Sequence, residues 1–397
     1  MSYVGLHFQP GIMWDQNWPF LWQTVQDAHG TSLFVYLSDQ IQDLYSHLIE
    51  GKYPEGTTII YRSTHREYQF GDTAESWIES ENSFLRQKLG IIPAPLAELF
   101  AIANDAGVEL VWQVINEKGF SREEMTTISI FELARLKIIK PMGGVLGAVG
   151  SSVSSFHRPD YVQTLEDTGL LAACRTKYAW FIHHMGAYLT NLVLIGSNQY
   201  MDREFGTEKE RVQAIFQMGY DEITVEKISS GELDAWRFGD LWMADLPQLH
   251  DVKFLISEFS LGDVDFNSSH VNRSPGSGEI FGYNDTWGYL SRHLDDIHEV
   301  YPEFPSTLED WIEAELNFGA RLASEHKTEM KLAVWCAGGG AANNWIPYDI
   351  QPQERWFAWS RHANTFKPAP SWSWKNLLFW RKWSSAFRTW YDLEHKD

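Results

Sequence analysis

Short apolar, β-branched runs recur along the chain, separated by longer stretches in which apolar residues repeat at i, i+3, i+4 and i+7. The short runs have the length and composition of buried strands, and the intervening periodicity is that of helices buried on one face. Eight strands are predicted, at 3–7, 32–37, 57–62, 108–115, 144–149, 179–183, 252–257 and 331–335. Helical spacing covers 18–28, 41–50, 95–106, 128–139, 161–171 and 308–326, and several of these stretches end near a glycine such as Gly30, Gly107 or Gly169. Strands and helices in alternation build a parallel sheet with crossover helices. Eight such strands predict an α/β fold, a single (β/α)8 barrel spanning residues 1–350.

Two connections are too long for one crossover: 189–249 between the sixth and seventh strands, and 259–301 between the seventh and eighth. Insertions of that length on the loop face of a barrel shape a cleft or a lid. Residues 351–397 differ in character and read as an aromatic-rich C-terminal extension. Seven of the nineteen tryptophans fall there, interleaved with Lys375, Arg381, Lys382 and Arg388 and split by a proline hinge at 367–371. The amphipathic spacing of 374–391 suits a helix packed on the barrel, with a docking segment or an interfacial membrane helix as the alternatives.

In a barrel of this kind the reactive groups sit where the strands end. The residues at those points are His7 and Gln9, Asp39, Arg62, Asn116 and Glu117, Ser151 and Ser152, His183 and His184, Glu258, and Trp335 with the glycine turn 338–340. Glu117 and Glu258 are both expected to face one mouth. Two carboxyl groups on rigid supports suit cleavage of a glycosidic bond, one donating a proton to the leaving oxygen and one attacking or activating water. Of the adjacent His183 and His184, strand alternation sends one to the barrel axis and the other to the helices. Trp335 and Trp345 flank the glycine turn, where indole faces can stack on the C–H faces of sugar rings.

Asn-Glu closing the fourth strand (Trp112-Gln-Val-Ile-Asn-Glu117) and a lone Glu closing the seventh (Leu255-Ile-Ser-Glu-Phe259) resemble the clan A glycoside hydrolases, retaining (β/α)8 glycosidases. The order of features agrees from Gly5-Leu-His7 to Asn344-Trp-Ile-Pro-Tyr-Asp-Ile350. The resemblance implies that Glu117 is the general acid/base, Glu258 the nucleophile, and Asn116 the donor to the sugar 2-hydroxyl. It also implies a partner of the nucleophile on the sixth strand, for which His183, His184 and Tyr188 are the candidates. Two departures stand out. The family's supporting arginine lies on the second strand, whereas Arg62 here follows the third. The family places Pro after Asn-Glu, whereas Lys118-Gly119 follows here, and a lysine so close would lower the pKa of Glu117 unless it turns away.

Charge narrows the partner. With 32 Lys and Arg against 53 Asp and Glu, the net charge of −21 disfavours nucleic acid and anionic membranes and suits a neutral glycoside, oligosaccharide or polysaccharide. The N-terminus has neither a basic n-region nor an apolar h-region, and no run approaches the ~20 apolar residues of a membrane span, so the chain reads as soluble without a secretion signal. Cys174 and Cys336 have no zinc-like spacing, and neither a metal nor a cofactor is expected. Two other classes stay open. One is a carbohydrate-binding barrel without catalysis, as in a cell-wall or phage-associated module. The other is a metal-dependent barrel hydrolase drawing on His7, Asp39 and His183 or His184.

Overall fold

The computed structural model describes residues 3–8, 32–90, 93–116, 118, 121–151, 159–184, 206–222, 246–259, 290–308, 310–311 and 329–336. Within them run β1 (Tyr3–Phe8), β2 (Leu33–Leu37), β3 (Thr58–Arg62), β4 (Glu109–Gln113), β5 (Val145–Ser151), β6 (Ala179–His183), β7 (Phe254–Phe259) and β8 (Met330–Cys336). These strands pair in chain order, all parallel, and β8 returns to β1 to close an α/β barrel. Parallel closure puts every strand's C-terminal end at the same mouth.

The connections that are described carry helices, as parallel pairing requires. Ile41–Ile49 follows β2; Ala74–Leu89 and Pro95–Asp105 follow β3; Arg122–Ile139 follows β4; Pro159–Asp167 and Leu170–Cys174 follow β5; Glu208–Glu222 follows β6; Leu294–Val300 follows β7. The expected helix at 18–28, most of 308–326 and the tail 351–397 lie outside the described residues.

Several boundaries differ from the sequence expectation. The Ala74–Leu89 helix carries no clean apolar stripe, because the buried Glu81 sits among Trp77, Ile78 and Leu85. Its ends are nevertheless marked by Thr73, whose hydroxyl caps Ser76 N–H, and by the left-handed Gly90. The helix expected at 128–139 starts at Arg122, where Ser121 and Glu124 form a reciprocal capping box. The single helix expected at 161–171 is two, broken at Gly169, whose φ of +83° ends one turn and opens the next. β4 leaves its ladder at Gln113 rather than at 115, and Asn116 then regains a bridge to Gly150 of β5.

Alternation along the strands sorts the core into two shells. Phe34, Tyr36, Ile59, Tyr61, Trp112 and Phe181 pack outward against the helices, with Leu44, Trp77, Leu99 and Ile128. Leu33, Val35, Ile60, Val111, Ile182, Leu255 and Ala333 fill the interior. Below that apolar interior, at the strands' N-terminal ends, lies a charged layer. Lys331 of β8 pairs with Glu109 of β4 and donates to Thr58 Oγ1 (2.8 Å), while Trp180 Nε1 donates to Glu109 Oε1 (2.9 Å). β4 and β8 are not neighbours, so this pair spans the interior. Lys253 lies over the Trp180 ring at 3.9 Å.

Candidate functional site

Above the apolar layer, at the C-terminal ends, the inward positions turn polar again. Arg62 of β3 donates from Nε to Gln113 Oε1 on β4 (2.9 Å). That contact fixes the amide of Gln113, whose Nε2 donates to Ile115 O (3.0 Å) and to Asn116 Oδ1 (3.2 Å). Asn116 Oδ1 takes a second bond from His184 Nε2 (3.0 Å), just past β6. His184 Nδ1 faces Ser257 Oγ of β7 at 3.4 Å. The chain of contacts assigns the tautomer: Nε2 carries the proton toward the carbonyl oxygen of Asn116, and Nδ1 accepts from the serine hydroxyl. Asn116 Oδ1 is thus occupied twice, and among the described residues its Nδ2 is the donor that this network leaves over.

The backbone of β5 makes this packing possible. The β5–β6 register slips between Ala148 and Gly150, and Val149 in that bulge adopts φ +43°, a left-handed conformation that a β-branched residue rarely takes. Gly150 N–H then donates to Ile115 O (2.9 Å) beside Asn116. A Cβ at position 150 would stand 2.6 Å from Gln113 Nε2 and closer still to Asn116 Oδ1, so glycine is required by close approach. β7 also slips against β8, between Ile256 and Phe259, which breaks the simple alternation of faces at Ser257 and Glu258.

The expected site residues divide as follows. Arg62, Asn116 and His184 are brought into one network. Arg62 stands on β3, as counted from the sequence, and acts there on Gln113. His183 is fully buried and bonds Ser151 Oγ through Nδ1 (2.7 Å), which leaves His184 as the histidine that joins Asn116. His7 is fully buried at the end of β1, in register with Leu33 and Trp335. Glu258 and Trp335 are placed as backbone within β7 and β8, whereas Glu117, Tyr188 and Trp345 lie outside the described residues. Lys118 pairs with Glu67 (2.8 Å) and donates to Tyr68 O (3.3 Å), so its charge is engaged with the loop after β3. The hydrogen bond and charge of Lys118 hold the Glu67 carboxyl below its ordinary range.

Gln113, Gly150 and Ser257 were missed in the sequence. Gln113 did leave a signal, being a polar residue in the middle of the apolar run 108–115. Among the described residues no three His, Cys, Asp or Glu side chains come together as metal ligands, and Asp39 is exposed. Among the described residues, too, no helix is long and apolar enough to cross a membrane. No family model, no curated protein and no solved structure matches this chain.

Proposed function

We propose that this chain is a retaining glycoside hydrolase, in which Glu117 serves as general acid/base and Glu258 as nucleophile. The observation that carries the proposal is the fixed carboxamide of Asn116 at the mouth of a parallel barrel. It directly precedes Glu117 and is tied through His184 to Ser257, the residue before Glu258. A carboxamide clamped through its oxygen keeps an N–H donor for a ligand hydroxyl, which suits a polyol substrate. The proposal requires the carboxyl groups of Glu117 and Glu258, which follow strands four and seven, to face that same mouth. Double displacement requires them about 5–5.5 Å apart. The full architecture belongs to the same proposal: a complete (β/α)8 catalytic barrel over 1–350, with the long insertions shaping its cleft and 351–397 packed on it. Trp335 and Trp345 then offer sugar-stacking faces.

Turnover of a panel of aryl glycosides tests this. Glu117→Ala and Glu258→Ala should each lower kcat by at least the 10²–10⁴-fold typical of general acid–base catalysis, with the product anomer retained in the parent enzyme. Full activity in both variants refutes the assignment. Binding of oligosaccharide without turnover in the parent identifies a carbohydrate-binding barrel instead.

A further inference from the structure

On the helix side of β3, behind its C-terminal end, stands the carboxylate of Glu81. It belongs to the Ala74–Leu89 helix and is fully buried. A carboxylate at that depth is costly, and an apolar residue would fill the place without the cost, so what it holds is informative. Tyr61 OH donates to Oε1 at 2.5 Å, the Ser63 hydroxyl donates to Oε2, and His65 Nδ1 lies 3.1 Å from the same oxygen. Burial and the neighbouring carboxylate push the Tyr61 phenol well above its ordinary pKa, so it stays a donor. Trp77, one turn before Glu81, donates from Nε1 to Ser63 Oγ at 3.3 Å, which leaves the serine proton for the carboxylate.

The two hydroxyls belong to the residues on either side of Arg62. Strand alternation turns Tyr61 and Ser63 to the helices and Arg62 to the interior. Positions two apart on a strand are separated by about 6.6 Å, and a phenol reaches much farther from its backbone than a serine hydroxyl does. For both to end on one carboxylate, the strand between them must keep one direction relative to the helix. From that stretch, β3 and the loop after it grip the end of β4 at three points. Arg62 Nε donates to Gln113 Oε1 (2.9 Å), and Ser63 N–H donates to Gln113 O (2.8 Å). Lys118 Nζ donates to Glu67 (2.8 Å) and to Tyr68 O (3.3 Å). In sequence these points bracket Asn116 and Glu117.

We infer that Glu81 is a positioning residue of the mouth: by taking the hydroxyls of Tyr61 and Ser63 it fixes the pose of Arg62, and through Arg62 the carboxamides of Gln113 and Asn116. The structural consequence stands on these bonds alone. The kinetic consequence rests on the glycosidase reading, in which Asn116 donates to the sugar 2-hydroxyl. Bonds to that hydroxyl strengthen in the transition state, so a displaced Asn116 lowers kcat more than it raises KM.

Glu81→Gln in the full chain tests this, because it keeps the shape of the side chain and one acceptor oxygen but gives up the second. The Arg62 Nε–H and the side-chain amide resonances of Gln113 and Asn116, followed by ¹⁵N NMR, should move. On an aryl glycoside kcat should fall about tenfold or more with KM little changed. Tyr61→Phe and Ser63→Ala each remove one hydroxyl and should move the same resonances. In a chain carrying both, Glu81→Gln should move Asn116 little further, since the groups it acts through are gone. Gly144→Ala crowds the Phe100 ring away from the mouth, and this control for lost stability should leave Asn116 in place.

Unmoved Asn116 resonances in Glu81→Gln overturn the inference, as does an effect of Glu81→Gln that persists in full once both hydroxyls are gone. If Glu81→Gln fails to fold, Tyr61→Phe and Ser63→Ala decide in its place, and both must move Asn116 for the inference to stand. If the parent turns over no glycoside, the glycosidase reading falls and the resonances alone decide the positioning.

Discussion

Gly150→Ala adds one methyl group at the most crowded point of the mouth. The new carbon would stand 2.6 Å from Gln113 Nε2 and 3.0 Å from Asn116 Cα, and nearer still to Asn116 Oδ1. Ordinary contact distance is about 3.5 Å, so the two carboxamides must retreat by roughly 1 Å. The bonds at stake, Gln113 to Asn116 at 3.2 Å and His184 to Asn116 at 3.0 Å, do not survive a displacement of that size. Two lost hydrogen bonds cost about 1 kcal/mol each, and overpacking adds about 1–3, which gives a destabilisation of about 3–5 kcal/mol. Urea unfolding measures it, and the Asn116 side-chain amide resonances report whether the carboxamide has moved. Gly144→Ala is the matched control, since its Cβ would meet the Phe100 ring at 2.6–3.0 Å, away from the mouth. Both variants should lose stability, but Gly150→Ala alone should displace the Asn116 resonances and lower activity. A Gly150→Ala protein that loses less than ~0.5 kcal/mol, or disturbs Asn116 no more than the control does, refutes the packing argument.

Other expectations follow from the same contacts. Lys331→Met leaves the half-buried Glu109 without its cation and should cost about 1–3 kcal/mol in urea unfolding, whereas Lys331→Met with Glu109→Leu should cost less. Burial pushes the Glu109 carboxyl up, but Lys331, Trp180 and Lys253 outweigh it and hold its pKa below the ordinary value. Its stabilising contribution is therefore complete above the unfolded carboxylate pKa of about 4.3 and is lost as pH falls through the folded value; Lys331→Met should flatten that acid limb. Lys118→Met should return the Glu67 pKa to its ordinary range in an NMR titration while leaving unfolding by urea almost unchanged. Burial pushes the Cys174 thiol well up, so it should react with a thiol reagent only on unfolding.

The strands were legible because buried parallel strands are nearly continuous apolar runs, a pattern that 33–37 and 179–183 show with little interruption. The bulges were not. Nothing in Gly144-Val-Leu-Gly-Ala-Val-Gly-Ser151 announces that Val149 takes a positive φ, since glycines at 147 and 150 flank it and are the usual carriers of that conformation. The slip matters for the mouth, because it brings Gly150 against Asn116. Alternation sets the two adjacent histidines on different faces, but it does not say which one faces inward; that depends on strand phase, which Ile182 sets by packing in the interior shell. Ion pairs such as Glu132 with Arg135 were invisible for a related reason. An i, i+3 Glu–Arg pair usually marks a solvated helix face, and only the fold reveals that this one is turned inward.

The interior positions of single strands carry the deeper regularity. Reading inward residues from bottom to mouth gives Thr58, Ile60, Arg62 on β3, Glu109, Val111, Gln113 on β4, and Trp180, Ile182, His184 on β6 with its next residue. Each passes from the ionic layer through an apolar one to the polar mouth. An apolar layer one residue thick separates the two polar networks, so disturbing one should leave the other in place. The helix layer differs, since Arg135 reaches the backbone of β4 from the side, at Trp112 O next to Gln113. Breaking Lys331 from Glu109 should lower stability and leave the Asn116 carboxamide where it is, whereas Gly150→Ala should move that carboxamide and leave the Lys331–Glu109 pair intact. If breaking the Lys331 pair also moves the Asn116 carboxamide, the barrel responds as one undivided core and the layered account is wrong.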